Sequence, residues 1–499
     1  MNEEIKRTLE QFPTKKVMVL GDFYLDEYIH CKAEHFSPEA PVPRAVVNNV
    51  EHVPGCAGNI AVALKSLGAQ VMAAGSIGFD EKGNILKNKL LEKGVITSGL
   101  FSDQERVTGV FSRILLESSG DYKQHHIRFD FENKKAITPT IQEKIKLYLE
   151  ENLPNLDLLF IADYDENAGT GLITENFLNQ IIPLVKKQGL PIAGISRLNI
   201  KQFADVDILI CNRKELSAGA SLPINNEETL TLAIEKLREQ TKANTILITL
   251  GKEGLIISRR GSPLQKYPSY VKRVVDVCGA GDALSSAYAL CAITNCPEQE
   301  QGLIASHAAA VAISKPGTAP AYAHEIIESI AASEVYKNKR IDSLNSFSST
   351  LTNLKKQKKR IVLTNGYFDL IHASHINFLK EAKKQGDLLI VAINSDKSTR
   401  ENKGAGRPIL PEEERVNILS SLECVDYVTI FEELTPVKVI SLIKPDILVK
   451  GGNFTPDEVV GRDIVESYGG EIKIIQLPGR GLSSTQQLID KIKTEPHLS

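Results

Sequence analysis

Short apolar segments alternate with longer amphipathic segments along most of the chain. Residues 17–20, 158–161, 208–211 and 245–250 are runs made mainly of Val, Ile and Leu. Strands that are buried on both faces have this composition, and helix-length segments between them supply the crossovers of a parallel sheet. The pattern predicts an α/β fold with a mostly parallel sheet.

The pattern weakens between residues 336 and 360, where Ser, Thr, Asn and Lys dominate. We expect a first domain at residues 1–337, a linker at 338–360 and a second domain at 361–499. The basic cluster at 355–360 is interpreted as a solvated face of the linker rather than a nucleic-acid site. Five apolar runs follow and predict a doubly wound domain of modest size. They are residues 361–363, 388–393, 427–431, 447–449 and 472–475.

Composition excludes several classes of protein. The 499 residues are 42% hydrophobic and 24% charged with a net charge of -3, which excludes a disordered chain and a general polyanion binder. No apolar run is long enough for a membrane span, and the N-terminus lacks the apolar core of a secretory signal, so we expect a cytoplasmic protein. The seven cysteines are scattered without Cys-x-x-Cys spacing, which argues against disulfides and against a dedicated metal cage.

The first candidate site is the glycine-rich turn Gly279-Ala280-Gly281-Asp282, which precedes a helix-length stretch of small and apolar residues. Unpaired amides at a helix start carry the positive end of the helix dipole and can hold a phosphoryl group. Asp282 could accept the proton of a hydroxyl that attacks such a group. The alternative is an ordinary helix start with an acidic residue that matches the dipole.

Other motifs decide between these interpretations. Gly21-Asp22 ends the first apolar run, and residues 55–59, 212–215 and 249–254 read Gly-Cys-Ala-Gly-Asn, Asn-Arg-Lys-Glu and Thr-Leu-Gly-Lys-Glu-Gly. In this order, the set resembles the signatures of the ribokinase-like (PfkB-type) sugar kinases. The resemblance implies a three-layer α/β domain with a small β lid around residues 28–50.

The resemblance also implies roles for single residues. Asp282 would be the catalytic base, and Gly279, Ala280 and Gly281 would form the anion hole. Asn212 and Glu215 would organise Mg²⁺ and phosphate, although a helix cap and a surface charge are alternatives for these two. The remaining assignments are ATP contacts and sugar contacts: Thr249, Gly251 and Gly254 for ATP, and Asp22 and Asn59 for the sugar.

The second candidate site is a pair of histidines, His372 and His375, which follow the apolar run at 361–363. If a helix begins here, both imidazoles lie on one side of its first turn. Two such donors suit a phosphorus centre that gathers negative charge during in-line displacement. A metal site lacks a third ligand of matching spacing, and two ordinary surface histidines are the remaining alternative.

The surroundings of this pair resemble the His-x-x-His nucleotidyltransferases of the cytidylyltransferase-like superfamily. The motifs Asn394-Ser395-Asp396, Lys403-Gly404, Lys450-Gly451-Gly452-Asn453 and Ser483-Ser484-Thr485 follow in family order. The resemblance implies a Rossmann-like domain in which His372 and His375 stabilise the transition state. Arg415 is either structural or phosphate-facing. Nucleotide binding would fall to Thr364, Asp396, Lys403, Asn453, Ser483, Ser484 and Thr485.

The two halves together resemble the bifunctional heptose enzymes of lipopolysaccharide precursor synthesis. That resemblance implies phosphorylation of D-glycero-β-D-manno-heptose 7-phosphate at O1 and adenylyl transfer from ATP to heptose 1-phosphate. It also implies Mg²⁺ with ATP, small-molecule substrates and no nucleic-acid or membrane partner, and it admits a monovalent cation at the kinase site. A homodimer formed through the lid is expected by analogy with kinases of this fold.

Three departures from the family pattern concern the kinase half. Cys56 replaces a glycine, the segment 163–167 lacks a lysine, and residues 194–197 lack an Asp-Pro-Lys string. A phosphate dianion needs charged donors, so Arg197 or Arg128 would have to anchor the 7-phosphate. The alternatives are the same reactions on another sugar or polyol phosphate, with CTP as a second donor, or an N-terminal half that only binds a sugar phosphate.

Overall fold

The computed structural model describes residues 3–39, 42–117, 123–165, 169–271, 274–341, 343–452 and 455–476. The chain forms two compact units, Met1–Ile330 and Ala331–Ser499. Within the described residues, no helix combines the length and the apolar character that crossing a bilayer requires.

The first unit is built on a long sheet with the order β12-β11-β10-β9-β8-β7-β1-β3-β4. Neighbouring strands from β4 to β10 along this order are parallel, whereas β11 is antiparallel to β10 and β12 is antiparallel to β11. The strands of this unit are β1 (Lys16–Phe36), β2 (Pro43–Cys56), β3 (Gln70–Gly78), β4 (Ile96–Asp103), β5 (Val110–Glu117), β6 (Lys123–Phe131), β7 (Leu158–Asp163), β8 (Ile192–Ser196), β9 (Ile208–Asn212), β10 (Thr245–Thr249), β11 (Leu255–Arg259) and β12 (Gln265–Tyr267).

Helices cover both faces of this sheet, which gives three layers. In β7, Leu158 and Phe160 belong to one apolar core and Leu159 and Ile161 to the other, because alternate side chains of a strand point to opposite faces. The helices are α1 (Glu3–Gln11), α2 (Ala57–Ser66), α3 (Glu81–Glu92), α4 (Pro139–Asn152), α5 (Glu175–Lys187), α6 (Arg213–Ala220), α7 (Glu227–Thr241), α8 (Ala280–Ala292), α9 (Glu298–Ile313) and α10 (Ala323–Lys339), the last of which contains the boundary between the units.

A small second sheet extends from the first. The far half of β1 leaves the main sheet after Asp22 and pairs with β2 and β5, and β5 pairs with β6. This four-stranded lid contains the residues around 28–50 where the sequence predicts one. The α/β class and the ribokinase-like architecture expected from the sequence are confirmed.

The second unit holds a six-stranded parallel sheet with the order β13-β16-β15-β14-β17-β18. From β14 the chain continues to β15 and β16 on one side, and it then crosses to β17 on the other side of β14. The topological switch point therefore lies between β14 and β17. The strands are β13 (Arg340–Ile341), β14 (Ile361–Gly366), β15 (Leu388–Asn394), β16 (Tyr427–Phe431), β17 (Ile447–Gly451) and β18 (Glu471–Ile475). The helices are α11 (Leu344–Lys356), α12 (Ala373–Lys383), α13 (Asp396–Lys403), α14 (Glu412–Ser420), α15 (Val437–Ile443) and α16 (Arg462–Ser467).

The structure differs from the expected linker at 338–360. Residues 340–341 form β13 at the edge of the second sheet, and α11 follows it. Ile341 and Leu351 are buried in the core of the second unit, with Leu344 and Phe347 packed against them. The apolar positions 344, 347 and 351 lie on one face of a helix, whereas the polar residues that dominate the composition lie on the other.

Candidate functional sites

The residues proposed for the kinase half meet at the carboxyl edge of the first sheet. Asp22 lies where β1 leaves that sheet, and Asn212 and Thr249 end the neighbouring strands β9 and β10, where they are paired in register. Because these strands are parallel, their carboxyl ends share one edge, and ligands of open α/β sheets bind at that edge.

Two helix starts converge on Asp282. Gly279 is the N-cap of α8 with a φ of +74°, a conformation that favours glycine, and Asp282 lies in the first turn. Asn59 lies in the first turn of α2, and its side chain hydrogen-bonds Asp282. A Cβ on Gly281 would meet nothing within 4 Å, so the backbone at Gly281 is accessible to a ligand. Such a turn can receive an anion.

Asp282 has the surroundings of a proton acceptor. The Tyr164 hydroxyl donates to Asp282 Oδ1 at 2.6 Å. Burial raises the pKa of Asp282, and the hydrogen bonds from Tyr164 and Asn59, with the charge of Arg197, oppose that rise. A carboxylate held in this balance stays basic enough to take a proton from a hydroxyl.

Three further carboxyl groups are buried in the first unit, and Asp163 and Asp165 lie close enough to Asp22 to raise its pKa. Asp22 Oδ1 accepts from the Leu172 amide at 2.8 Å, whereas Asp22 Oδ2 has no hydrogen-bond partner within the described chain. Asp163 accepts from Ser196 Oγ at 2.7 Å, and Asp165 accepts from the Gly171 amide. Burial, together with the neighbouring carboxylates, raises the pKa of Asp22 to about 7, and burial raises that of Asp163 to about 6.

Asn212 and Glu215 form a reciprocal helix cap at the start of α6. The Asn212 side chain accepts from the amides of Lys214 and Glu215, and a Glu215 carboxylate oxygen accepts from the Asn212 amide at 2.8 Å. This cap is the alternative that the sequence left open for Asn212. It positions both side chains at the sheet edge and leaves the second oxygen of Glu215 outside the cap.

The glycine turn after β10 packs closely against the end of β12. Gly251 and Gly254 have φ values of +60° and +94°. A Cβ on Gly254 would lie 2.0 Å from the Tyr267 carbonyl oxygen, whereas one on Gly251 would meet nothing within 4 Å. Gly254 is therefore required by packing, and the backbone at Gly251 is accessible to a ligand.

The departures from the family pattern have a structural context. Cys56 is the N-cap of α2 with a φ of +54°, the conformation for which glycine is favoured. The Arg197 guanidinium lies 5.0 Å from the centre of the Tyr164 ring. Burial raises the pKa of Asp282 and of Glu215, and the charge of Arg197 opposes both rises. Arg128 lies on the lid, stacked over Phe111. Arg197 is thus the cation beside the kinase base.

The two histidines of the second unit face each other at the start of α12. His372 is the N-cap and His375 lies in the first turn, with ring centroids 4.0 Å apart. Burial lowers the pKa of both rings, and the pKa of His375 falls to about 4. The imidazoles are therefore neutral near pH 7, when each still carries one N–H donor.

Several polar atoms around this pair have no hydrogen-bond partner within the described chain. They are Thr364 Oγ1, Asn365 Oδ1, both ring nitrogens of His372 and Nδ1 of His375. Buried polar groups are normally satisfied, so this cluster marks the place of a polar ligand. It lies at the carboxyl end of β14, beside the switch point of the sheet.

The other residues proposed for the second site divide into three groups. Lys403 is exposed at the end of α13, and its ammonium group lies 4.9 Å from the centre of the Tyr367 ring. Asp396 is bonded to Arg415, which is fully buried and also donates to the Tyr367 and Asn394 carbonyls. Arg415 therefore has the structural role of the two that the sequence left open. The residues outside the described chain are Asn453, Ser483, Ser484 and Thr485.

Sequence reasoning did not select three residues that the structure brings into the sites. Tyr164 contacts Asp282, and Asn365 and Lys450 meet beside the histidines, where Lys450 Nζ lies 3.4 Å from the Asn365 carbonyl oxygen. A signal existed for Lys450, since it ends an apolar run next to two glycines. No local pattern indicates that a tyrosine will meet an aspartate 118 residues away.

Comparisons with known proteins match both units. The pfkB family of carbohydrate kinases matches residues 14–324, and the cytidylyltransferase-like family matches residues 363–487. The first unit resembles Arabidopsis thaliana ribokinase with a TM-score of 0.50 and 18% identity, over 63% of this chain and 98% of that one. Escherichia coli phosphofructokinase-2 gives a TM-score of 0.52 and 18% identity, over 64% and 98%. The protein is an enzyme that joins a carbohydrate kinase to a nucleotidyltransferase.

Relatives with the same two-part organisation define the family more narrowly. The Bifunctional protein HldE of Geobacter metallireducens is 36% identical over 95% of both chains. The protein of that name from Syntrophotalea carbinolica is 35% identical over 98% of both. The chain belongs to the bifunctional HldE family.

Proposed function

We propose that this enzyme catalyses two steps in the synthesis of ADP-heptose for the lipopolysaccharide core. The first unit transfers the γ-phosphoryl group of ATP to O1 of D-glycero-β-D-manno-heptose 7-phosphate, which gives the 1,7-bisphosphate and ADP. The second unit joins AMP from ATP to heptose 1-phosphate, which gives ADP-heptose and pyrophosphate. The observation that carries this proposal is the similarity to HldE proteins over both units, which includes both phosphoryl-transfer sites.

In the kinase step, Asp282 takes the proton of the anomeric hydroxyl while O1 attacks the γ-phosphorus. The amides of Gly279, Ala280 and Gly281 hold the transferred group, because they present N–H donors at the positive end of α8. Tyr164 keeps the Asp282 carboxylate oriented by its hydrogen bond. Asp22 and Asn59 bind sugar hydroxyls, and Arg197 is the cation beside the base.

The adenylyl transfer needs no proton acceptor, because the attacking oxygen belongs to a phosphate that is already ionised. That oxygen forms a bond to the α-phosphorus of ATP, and the bond to the pyrophosphate oxygen breaks. His372 and His375 donate to the oxygens of the α-phosphoryl group as negative charge gathers there. Thr364 supports the same group, and Lys403 binds the outer phosphates.

The donor set suits a metal that arrives on ATP rather than a resident ion. No three His, Cys, Asp or Glu side chains converge as a metal cage within the described ranges. Glu215, through the oxygen outside its cap, would hold Mg²⁺ at the kinase phosphates, and Asn212 would keep Glu215 in place through that cap. There Mg²⁺ would supply charge neutralisation. A monovalent cation at the kinase site is a further part of the proposal, since the phosphofructokinase-2 structure of the same fold is a complex with potassium.

The outer face of the lid supports a homodimer. Val50, Ile29, Ile114 and Ile127 lie side by side across four paired strands, so they form one apolar row. Val50 and Ile127 are exposed, as is Phe129 near the end of this row. A second copy of the lid would bury this row. We place the enzyme in the cytoplasm, where ATP for both reactions is available.

The proposal is tested by following both reactions on the whole protein. We expect ATP and heptose 7-phosphate to give the bisphosphate by mass spectrometry, and ATP and heptose 1-phosphate to give ADP-heptose and pyrophosphate. Turnover of another sugar phosphate in place of heptose 7-phosphate would overturn the substrate assignment. The departures at residues 163–167 and 194–197 make that outcome the second candidate. Replacing ATP with CTP tests the nucleotide choice of the second unit.

A further inference from the structure

Lys450 is a lysine without a carboxylate partner inside the second site. It lies near the end of β17, next to the switch point between β14 and β17, and its side chain is partly buried. The only side-chain hydrogen bond of Lys450 within the described chain is a long one, 3.4 Å from Nζ to the Asn365 carbonyl oxygen. No carboxylate of the described residues lies within ion-pair distance of it.

A buried ammonium group without an anion is costly, because the protein replaces its hydration only in part. Burial accordingly lowers the pKa of Lys450 to about 8. On the adjacent strand β14, Thr364 Oγ1 and Asn365 Oδ1 have no hydrogen-bond partner in the described chain either. The carboxyl end of β14 and the neighbouring β17 thus offer an ammonium group and unpaired polar atoms to an anionic ligand.

The position of Lys450 indicates which anion this is. In-line displacement places the entering and leaving groups on opposite sides of the α-phosphorus. Lys403, proposed for the leaving pyrophosphate, follows β15, whereas Lys450 is on β17, on the other side of β14. The pyrophosphate of ATP also arrives with Mg²⁺, whereas the sugar 1-phosphate is a dianion that needs a cation from the protein.

We propose that Lys450 binds the phosphate of the sugar 1-phosphate, the nucleophile of the adenylyl transfer. This inference rests on the proposed function of the second unit. It makes Lys450 a substrate-binding residue that selects a phosphate monoester as the acceptor.

The test compares Lys450→Met and Lys450→Arg with the wild-type protein, using ATP and D-glycero-β-D-manno-heptose 1-phosphate. We expect Lys450→Met to raise the KM for heptose 1-phosphate about 10- to 100-fold, as loss of a charge-assisted bond does, with the KM for ATP unchanged. Lys450→Arg should restore most of the affinity because it keeps the charge. Lys473→Met is the matched control, since Lys473 lies on the next strand and is bonded to Gln385.

Two results would overturn the assignment: a raised KM for ATP in Lys450→Met, or no change in either KM. Thermal unfolding of each variant shows whether it folds, and Lys450→Gln replaces Lys450→Met if the latter does not. If wild-type protein ignores heptose 1-phosphate but adenylylates another phosphate monoester, the substrate proposal fails and the same comparison is made with that acceptor. If it adenylylates no phosphate monoester, both proposals fail.

Discussion

The two sites act on the same kind of phosphorus centre with opposite sets of side chains. The kinase site holds carboxyl groups, with Asp163 and Asp165 close enough to Asp22 to raise its pKa and Asp282 hydrogen-bonded to Tyr164, whereas the second site presents imidazoles and lysines. Burial shifts the pKa values in both toward the neutral form, upward for Asp22 and downward for His375.

The difference follows from the nucleophile. A sugar hydroxyl must lose a proton when it attacks, so the first site needs a base. A phosphate monoester has no proton to lose and brings negative charge, so the second site needs donors and cations. The nucleophile, rather than the reaction at phosphorus, determines which residues a site requires.

The largest expected effect separates the two activities. Asp282→Asn removes the proposed proton acceptor and should lower the kinase kcat about 10²- to 10⁴-fold. Adenylyl transfer by the same preparation should be unchanged and serves as the control for folding. Kinase turnover at the wild-type rate would show that Asp282 is not the proton acceptor of the first site.

The reciprocal change concerns the imidazoles. His372→Ala and His375→Ala should each lower the rate of adenylyl transfer about 10²- to 10³-fold, because each removes a donor to the charge that develops on phosphorus. Kinase turnover should not change. His324→Ala, an exposed histidine of the first unit, is the matched control. A normal rate in both variants would contradict the proposed role.

The carboxyl cluster can be tested through stability. Because burial raises its pKa to about 7, folded Asp22 keeps its proton up to about pH 7, whereas the unfolded group releases it near its ordinary pKa of 3.8. The folded state thus binds more protons, and the free energy of unfolding falls as the pH rises from 4 to 7. Asp22→Asn should be more stable than wild type by roughly 2–4 kcal/mol at pH 8, as the pKa shift implies, and lose this advantage near pH 4.

Denaturant unfolding at a series of pH values measures this difference. Glu143→Gln, on the exposed side of α4, should show no such trend. The same Asp22→Asn variant should bind sugar more weakly, so stability and activity change in opposite directions. A variant less stable than wild type at pH 8 would show that Asp22 is ionised without penalty.

The smallest expected effect concerns the hydrogen bond from Tyr164 to Asp282. Tyr164→Phe removes the hydrogen bond that stabilises the Asp282 carboxylate, so the pKa of Asp282 should rise. We expect about a tenfold loss of kinase kcat at pH 7 and a shift of the acidic limb of the pH–rate profile to higher pH. Tyr148→Phe, which loses a bond to Ser98 on a distant surface, should do neither. An unmoved profile would exclude this role for Tyr164.

The sequence predicted the strands better than the contacts between them. Runs such as 158–161 and 388–393 are apolar at every position because both faces of these strands are buried, so they are visible locally. The helix starts at Asp282 and His375 were also visible locally, because a glycine turn precedes the first and a His-x-x-His spacing marks the second. The hydrogen bond from Tyr164 and the position of Lys450 depend on which strands become neighbours, and spacing along the chain does not contain that information.

Composition led to a wrong prediction for α11, an amphipathic helix whose polar face carries few charged residues. The polar face of α11 made residues 343–352 look like a linker, although Leu351 is buried. The contacts of Asp396 also lay beyond sequence reasoning, since its partner Arg415 could have faced either the core or a phosphate. Both cases depend on burial, which the order of residues only partly encodes.

The strand at residues 340–341 matters for anyone who wishes to study the transferase half by itself. A fragment that starts at residue 361 would lack β13 and α11, so the edge of β16 and the apolar side chains Phe431 and Val439 would be uncovered. Such a fragment would be prone to self-association during purification. A low activity measured on it would reflect the loss of packing and not the contribution of the catalytic residues. A fragment that keeps these packing contacts should begin upstream of Arg340.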